Sequence, residues 1–197
     1  MQKSLQVCAV VAALVGGSLS ASADEKGPLE LKIIAKKDAY TLDTGGKTSK
    51  EYHKMLEDIA AAIKKGGLAP QPPRPAMIDL VLQVTNTSKG DVTINVEGDT
   101  NVVTLDVKGP GVIDLRPQLA FTADFRLPKP LKLEAGKTYE IPVKALSDGF
   151  RGSSRWIYWT EPGDYTISAT FQLAGAEGGK GPLLKSEPIK VKVAEKK

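Results

Sequence analysis

The sequence is poor in the residues that most often carry out chemistry in proteins. Its 197 residues include one cysteine, Cys8, and one histidine, His53. A single cysteine forms no internal disulfide, and one histidine without a cysteine cluster makes no zinc or copper ligand set. No nucleophile motif accompanies His53, which lies on a predicted solvated helical face. We therefore expect a protein that is not an enzyme and that has no cofactor and no metal.

Aromatic residues and net charge are also scarce. Aromatic residues make up 6% of the chain, and the net charge is +4. The basic residues are too dispersed to indicate nucleic-acid binding. Hydrophobic residues reach 41% and charged residues 25%, as in globular proteins, while 19 glycines and 13 prolines favour turns and β-structure.

The N-terminal 23 residues have the pattern of a secretory signal peptide. Lys3 precedes an apolar run over residues 7–15, and residues 21–23 read Ala-Ser-Ala before Asp24. The run is too short to span a bilayer comfortably, and the small residues fit a signal peptidase. We predict cleavage after Ala23 and a periplasmic or secreted protein, with residues 24–197 as a single domain. Cleavage removes Cys8 and leaves a net charge of +3, and we predict no membrane span after it.

The mature chain opens with an alternating strand pattern, followed by an excursion over residues 38–75. Within it Thr48 and Glu51 have the spacing of a capping box. An apolar stripe at helical spacing follows, made of Tyr52, Met55, Leu56, Ile59 and Ile63. These signals predict a helix at about 48–65, which Gly66 ends. The following run, PQPPRP at 70–75, predicts a stiff extended connector.

After Met77 the pattern is that of strands separated by turns every eight to twelve residues. About eight or nine candidate strands follow one another, split by Gly, Pro, Asn and Asp. This spacing is typical of an antiparallel sandwich or barrel. The predicted fold is therefore a mainly β, immunoglobulin-like antiparallel β-sandwich with one inserted helix.

The stretch RWIYWTEPGDY, residues 155–165, holds an unusual density of rings. Strand alternation places Trp156 and Tyr158 on one face and Ile157 and Trp159 on the other. We expect the second pair to face the sandwich core and the first pair to lie under the helix. Tyr165 follows the turn at 162–164 and has the position of a tyrosine corner, in which the hydroxyl bonds backbone upstream.

The order of motifs resembles bacterial secreted immunoglobulin-like domains of uncharacterised function. The motifs are VTNTS, LKLEAGKTYEIPV, WTEPGDYTISATF and a final VKV strand, and the resemblance covers roughly residues 77–193. The rhythm is also similar to that of the bacterial intracellular proteinase-inhibitor domain. The resemblance implies a fold more than a function. The signal peptide departs from the intracellular inhibitor, and the helical excursion belongs to neither pattern.

The best candidate for recognition is the loop region 147–156. Arginine and aromatic residues on a loop are the composition of binding hot spots. The candidate partner-binding residues are Phe150, Arg151, Arg155, Trp156 and Tyr158. A hairpin loop with solvated arginines is the plainer interpretation. The sequence GGKT at 45–48 is not a phosphate loop, because Thr41 stands where that motif needs glycine.

These features predict a secreted, non-catalytic binding or structural module, which works through sheet edges or loops. Its partner would be an unidentified protein or a component of the cell envelope. One alternative is a protease inhibitor, which requires an exposed rigid loop. The other is a carbohydrate-binding module, which requires coplanar exposed rings among Trp156, Tyr158 and Trp159.

Overall fold

The fold is known from a computed structural model, which describes residues 27–66, 69–117, 124–150, 153–175 and 179–195. The predicted signal peptide lies outside these residues. Within them the elements are β1 (Leu29–Ala35), β2 (Ala39–Leu42), α1 (Ser49–Lys64), β3 (Met77–Asn86), β4 (Val92–Val96), β5 (Val102–Lys108), β6 (Ile113–Leu115), β7 (Lys129–Leu133), β8 (Thr138–Ala145), β9 (Ser147–Phe150), β10 (Ser153–Tyr158), β11 (Gly163–Ala174), β12 (Lys180–Lys185) and β13 (Ile189–Glu195).

Two sheets share one apolar core. The first has the order β1-β3-β8, and the second has the order β2-β13-β11-β4-β7, with β5 and β12 also paired to β11. A small third sheet has the order β6-β10-β9. Side chains from the first two sheets form a single buried cluster. The prediction of a mainly β sandwich with one helix is confirmed.

The long strand β11 shows how alternation builds this core. Its buried side chains alternate with half-buried polar ones, and they are Tyr165, Ile167, Ala169, Phe171 and Leu173. Strand β3 contributes Leu80, Leu82 and Val84 to the same cluster. Each large apolar side chain buried in this way stabilises the fold by roughly 1.5–3 kcal/mol.

The N-terminal border of the predicted insertion is wrong. We predicted an excursion from residue 38, but Ala39–Leu42 form β2, which pairs in parallel with β13. This strand has four residues and one buried side chain, Leu42, so it carries too little alternation to be detected by its pattern. The helix is therefore inserted between the second and third strands, and the β2–β13 pair is an exception to the antiparallel arrangement.

Helix α1 is confirmed together with its ends. The Thr48 hydroxyl accepts from the backbone N–H of Glu51, and the Glu51 carboxylate accepts from the backbone N–H of Thr48. At the other end Gly66 has a φ of 70°, the left-handed conformation that glycine adopts without strain. No helix in the described part of the chain has both the length and the apolar character needed to cross a bilayer.

The tyrosine corner is present. The hydroxyl of Tyr165 lies within hydrogen-bond distance of the carbonyl oxygens of Glu161 and Pro110, 2.7 Å from the former. The Tyr165 ring occupies the space that a side chain at position 109 would need, so Gly109 fits there and alanine would clash. Burial raises the pKa of Tyr165 to about 12, because the charged phenolate would lose its water.

Candidate functional site

The predicted recognition loop lies on the β9–β10 hairpin. Phe150 ends β9 with 36% of its surface exposed. Arg151 lies outside the described residues. Phe150 is therefore accessible, and the predictions of partner contact by Phe150 and Arg151 both stay open.

The guanidinium of Arg155 forms ion pairs and hydrogen bonds within the protein. Its side chain is 16% exposed, and Nη2 lies 2.6 Å from Oδ2 of Asp148, whose side chain is 4% exposed. Nη1 is 3.1 Å from Asp114, and Nη2 also donates to the backbone carbonyl of Leu105. The Asp148 carboxylate in turn accepts from the backbone N–H of Leu105 at 2.7 Å. This network joins the hairpin to β5, and it argues against a direct contact between Arg155 and a partner.

The rings of β10 lie on the two faces that alternation predicts. Ile157 and Trp159 belong to the sandwich core. On the other face Tyr158 belongs to a second buried cluster with Tyr52, Leu56, Ile59 and Leu115, and Trp156 packs against it half-buried. The prediction that the helix covers these rings is confirmed.

The same burial removes the basis of a three-ring carbohydrate platform. Tyr158 is 2% exposed and Trp159 is 3% exposed, on opposite faces of the strand. A flat platform requires rings that are exposed and coplanar, so these three side chains do not form one.

His53 ties the helix to the sandwich, contrary to the solvated face that we predicted. The Thr160 hydroxyl donates to the carbonyl oxygen of Gly111 at 2.8 Å, and His53 Nδ1 lies 2.8 Å from the same hydroxyl. The other ring nitrogen, Nε2, points to Glu57 at 3.5 Å. The side chain is half-buried, and its role is structural.

A groove lies where the insertion meets the sandwich, and we call it the insertion groove. Its volume is about 620 Å³. The residues that define it come from β2, from the turn before α1 and its first part, from the Pro-rich connector, and from the end of β10 and the residue after it. They are Tyr40, Lys47, Tyr52, Arg74, Tyr158 and Trp159. Met55 and Pro73 also line it.

The interior of the groove is aromatic and rigid. Trp159 packs against Tyr40 with ring centroids 5.5 Å apart and an interplanar angle of 37°. The hydroxyl of Tyr158 donates to the carbonyl oxygen of Pro73 at 2.6 Å, and that of Tyr40 accepts from the backbone N–H of Asp79 at 3.2 Å. These bonds hold the rings of Tyr158 and Tyr40 in place.

The charges lie at the rim. Lys47 and Arg74 are exposed, and Asp43 is the acidic residue of the lining. The Asp43 carboxylate accepts from the backbone N–H of Gly45 at 3.1 Å. Burial, together with the charge of Asp43, raises the pKa of Tyr52, and burial raises the pKa of Tyr158 further still, so both phenols are neutral at physiological pH.

Metal binding finds no support in the described part of the chain, where no group of three or more histidine, cysteine, aspartate or glutamate side chains could hold an ion. In the turn at 98–101 the buried Asp99 instead pairs with Arg126, with Nε 2.9 Å from Oδ1. This residue stabilises the turn.

A second exposed element is the β3–β4 turn over residues 86–91. Asn86 is fully buried, and its amide donates to the carbonyl oxygens of Gly90 and Leu133 at 2.8 and 2.9 Å. Its carbonyl oxygen accepts from both the backbone N–H and the hydroxyl of Ser88. The turn is therefore held from within, with Lys89 exposed at its tip.

The insertion groove was not predicted from the sequence. Tyr40, Lys47 and Arg74 lie in segments that carry no binding motif, and they meet Tyr158 only in the folded chain. The sequence contained one indication of this site, because the aromatic face of β10 was predicted to contact the insertion. A junction between an inserted segment and a sandwich is a place where a cavity forms.

Comparisons with known proteins identify no family. No protein-family model and no curated protein matches the chain. Among solved structures, the β-glucosidase EmGH1 from Erythrobacter marinus is similar over 84% of this chain, with 10% identity and a TM-score of 0.31. The similar region is 15% of that enzyme. A likeness this low says nothing about what the present chain does.

Proposed function

We propose that the protein is a secreted, non-catalytic binding module and that the insertion groove is its ligand site. The observation that carries the proposal is an aromatic cavity of about 620 Å³ with unlike charges at its rim. Ligand sites are concave, mostly apolar, and carry a few polar groups that orient the ligand. The groove has this composition and a volume within the usual range of roughly 300–1,000 Å³.

The construction of the groove supports binding more than catalysis. Three of its rings belong to buried clusters, and hydrogen bonds fix two of its tyrosines. A preformed cavity binds with little ordering cost. Its described lining contains one carboxylate, Asp43, and no histidine or cysteine, so it offers no acid–base pair for a reaction.

The test is a fragment screen on the isotope-labelled mature protein, residues 24–197, followed by amide chemical shifts. We expect binders to perturb the amides of β2, the connector and residues 158–159. Thr41 is exposed and lines the groove, so Thr41→Trp should obstruct its mouth and abolish these shifts. Thr93→Trp, on an exposed position of β4 away from the groove, is the matched control. Binders that map elsewhere, or that bind Thr41→Trp unchanged, would refute the proposal.

A second candidate function is protease inhibition, and the β3–β4 turn favours it. The turn is exposed, and a fully buried asparagine holds it rigid. Residues 88–90 form a bend and not an extended segment. The turn would therefore inhibit a protease by blocking its cleft, and it would not bind there as an extended substrate does.

A protease panel tests this candidate, with Lys89→Ala as the variant. Inhibition should be seen at micromolar concentration and should weaken at least tenfold in Lys89→Ala. Lys137→Ala, at an exposed lysine of the neighbouring turn, controls for the loss of charge. The candidate fails if the wild-type protein inhibits no protease in the panel.

A further inference from the structure

The insertion groove holds a cation with no ion-pair partner among the described residues. Arg74 is exposed at the rim, and the ion pairs of the described chain do not involve it. A guanidinium is planar and presents paired N–H donors that match a carboxylate. An unpaired arginine beside an aromatic cavity is therefore suited to a ligand that carries an anion and an apolar part.

The backbone at Arg74 is restricted. Arg74 lies between Pro73 and Pro75, whose own φ angles are locked, and a residue before proline is disfavoured from the α region. The carbonyl oxygen of Pro73 accepts from the hydroxyl of the buried Tyr158 at 2.6 Å. The base of the arginine side chain is thus positioned in advance, which reduces the ordering cost of an ion pair with a ligand.

A second cation strengthens the positive side of the rim. Lys47 is exposed, and its backbone follows Gly45 and Gly46, which have φ values of 63° and 84°. Lys47 and Arg74 outweigh the one acidic residue of the lining, Asp43. The charged side chains of the lining therefore sum to +1, which favours an anion.

We propose that the insertion groove binds a carboxylate attached to an apolar or aromatic body. The carboxylate pairs with Arg74, and the body packs against the accessible apolar side chains of the lining, which are Tyr40, Met55 and Met77. This inference rests on the proposed function and names its ligand class. A small organic acid and the C-terminus of a peptide share this chemistry.

Matched probes test the role of the charge. The free acid is 3-phenylpropionate, and its neutral counterpart is 3-phenylpropionamide. The peptide form is N-acetyl-alanyl-phenylalanine, with a free or an amidated C-terminus. Because charge-assisted hydrogen bonds are about twice as strong as neutral ones, we expect at least one acid to bind about tenfold more tightly than its amide by titration calorimetry. The acid with the larger preference over its amide shows whether the natural ligand is a small organic acid or a peptide C-terminus. Inorganic phosphate should not compete with either acid for the groove.

Substitutions locate the contact. Arg74→Ala should remove the preference for acid over amide, and Arg74→Lys should retain part of it. Arg116→Ala, at an exposed arginine outside the groove, should change nothing. Since Arg74 is exposed, circular dichroism should show all three variants folded.

The outcomes distinguish failure of the carboxylate ligand class from failure of the groove as a binding site. If acids and amides bind equally well in the groove, the ligand class is wrong. If Arg74→Ala keeps the preference, the assignment of the contact to Arg74 is wrong. In both cases the binding site stands. If phosphate displaces the acids, the ligand class is also wrong. If no probe and no fragment perturbs the groove, both proposals fall.

Discussion

At the scale of single residues, burial decides what an ion pair contributes. Nη2 of Arg155 lies 2.6 Å from Asp148, and Nζ of Lys144 lies 2.6 Å from Asp79. The first pair is almost covered, whereas the lysine of the second is 63% exposed. Water screens an exposed pair, while a covered carboxylate depends on its partner.

We expect Arg155→Ala to lower the free energy of unfolding by about 3 kcal/mol, because it leaves Asp148 charged and covered. Lys144→Ala, the control at equal distance, should lose much less, because water screens the exposed pair. Urea denaturation measures both. Equal losses would contradict the role of burial.

Tyr165 makes the free energy of unfolding depend on pH in the alkaline range. Its folded pKa is about 12 and its unfolded pKa is 10, so the folded state keeps the proton to higher pH. The stability that this difference supplies is complete below about pH 10 and is lost as the pH rises to about 12. Tyr165→Phe should remove this part of the slope between pH 10 and 12. At pH 7 it should also cost about 1 kcal/mol for the lost hydrogen bond. Denaturation at several pH values checks both effects, and an unchanged slope would refute the assignment.

At the scale of elements, helix α1 depends on its own small core. Its buried side chains, Tyr52, Leu56 and Ile59, pack on Leu115 and Tyr158 and do not belong to the sandwich cluster. The capping box was readable in the sequence because it involves residues three apart. Of the partners of the apolar stripe, the ring face of β10 was predicted, whereas Leu115, more than fifty residues away, was not.

Leu56→Ala should therefore loosen the insertion more than the sandwich. Leu56 is fully buried, and its truncation should cost about 2–5 kcal/mol. Hydrogen exchange should accelerate in α1 while the amides of β3 stay protected. Ala61→Ser, at an exposed position of the same helix, is the control. Equal acceleration in both elements would show that the insertion and the sandwich unfold as one unit.

At the scale of the whole molecule, sheet edges carry features that oppose strand addition. Pro142 lies in the edge strand β8, Pro130 in the edge strand β7, and Pro182 in β12. Proline donates no ladder hydrogen bond. The strand addition that the sequence left open is therefore disfavoured at these three strands.

Secretion is tested on the whole molecule. Expressed with its native N-terminus in a Gram-negative host, the protein should appear in the periplasm or medium. Mass spectrometry should show a chain that begins at Asp24. Ala23→Pro, which disturbs the cleavage site, should slow processing. A cytoplasmic protein with residues 1–23 intact would refute the signal peptide.

The sequence by itself determined the class of the fold, the helix with both its ends and the two faces of β10. These follow from alternation, helical spacing, capping and turn residues, all of which act between neighbours in the chain. Only the tertiary structure decided the parallel pairing of β2, the enclosure of Arg155 by Asp148 and Asp114, and the insertion groove. Each of these joins residues that are distant in sequence, and no local pattern specifies which distant segments meet.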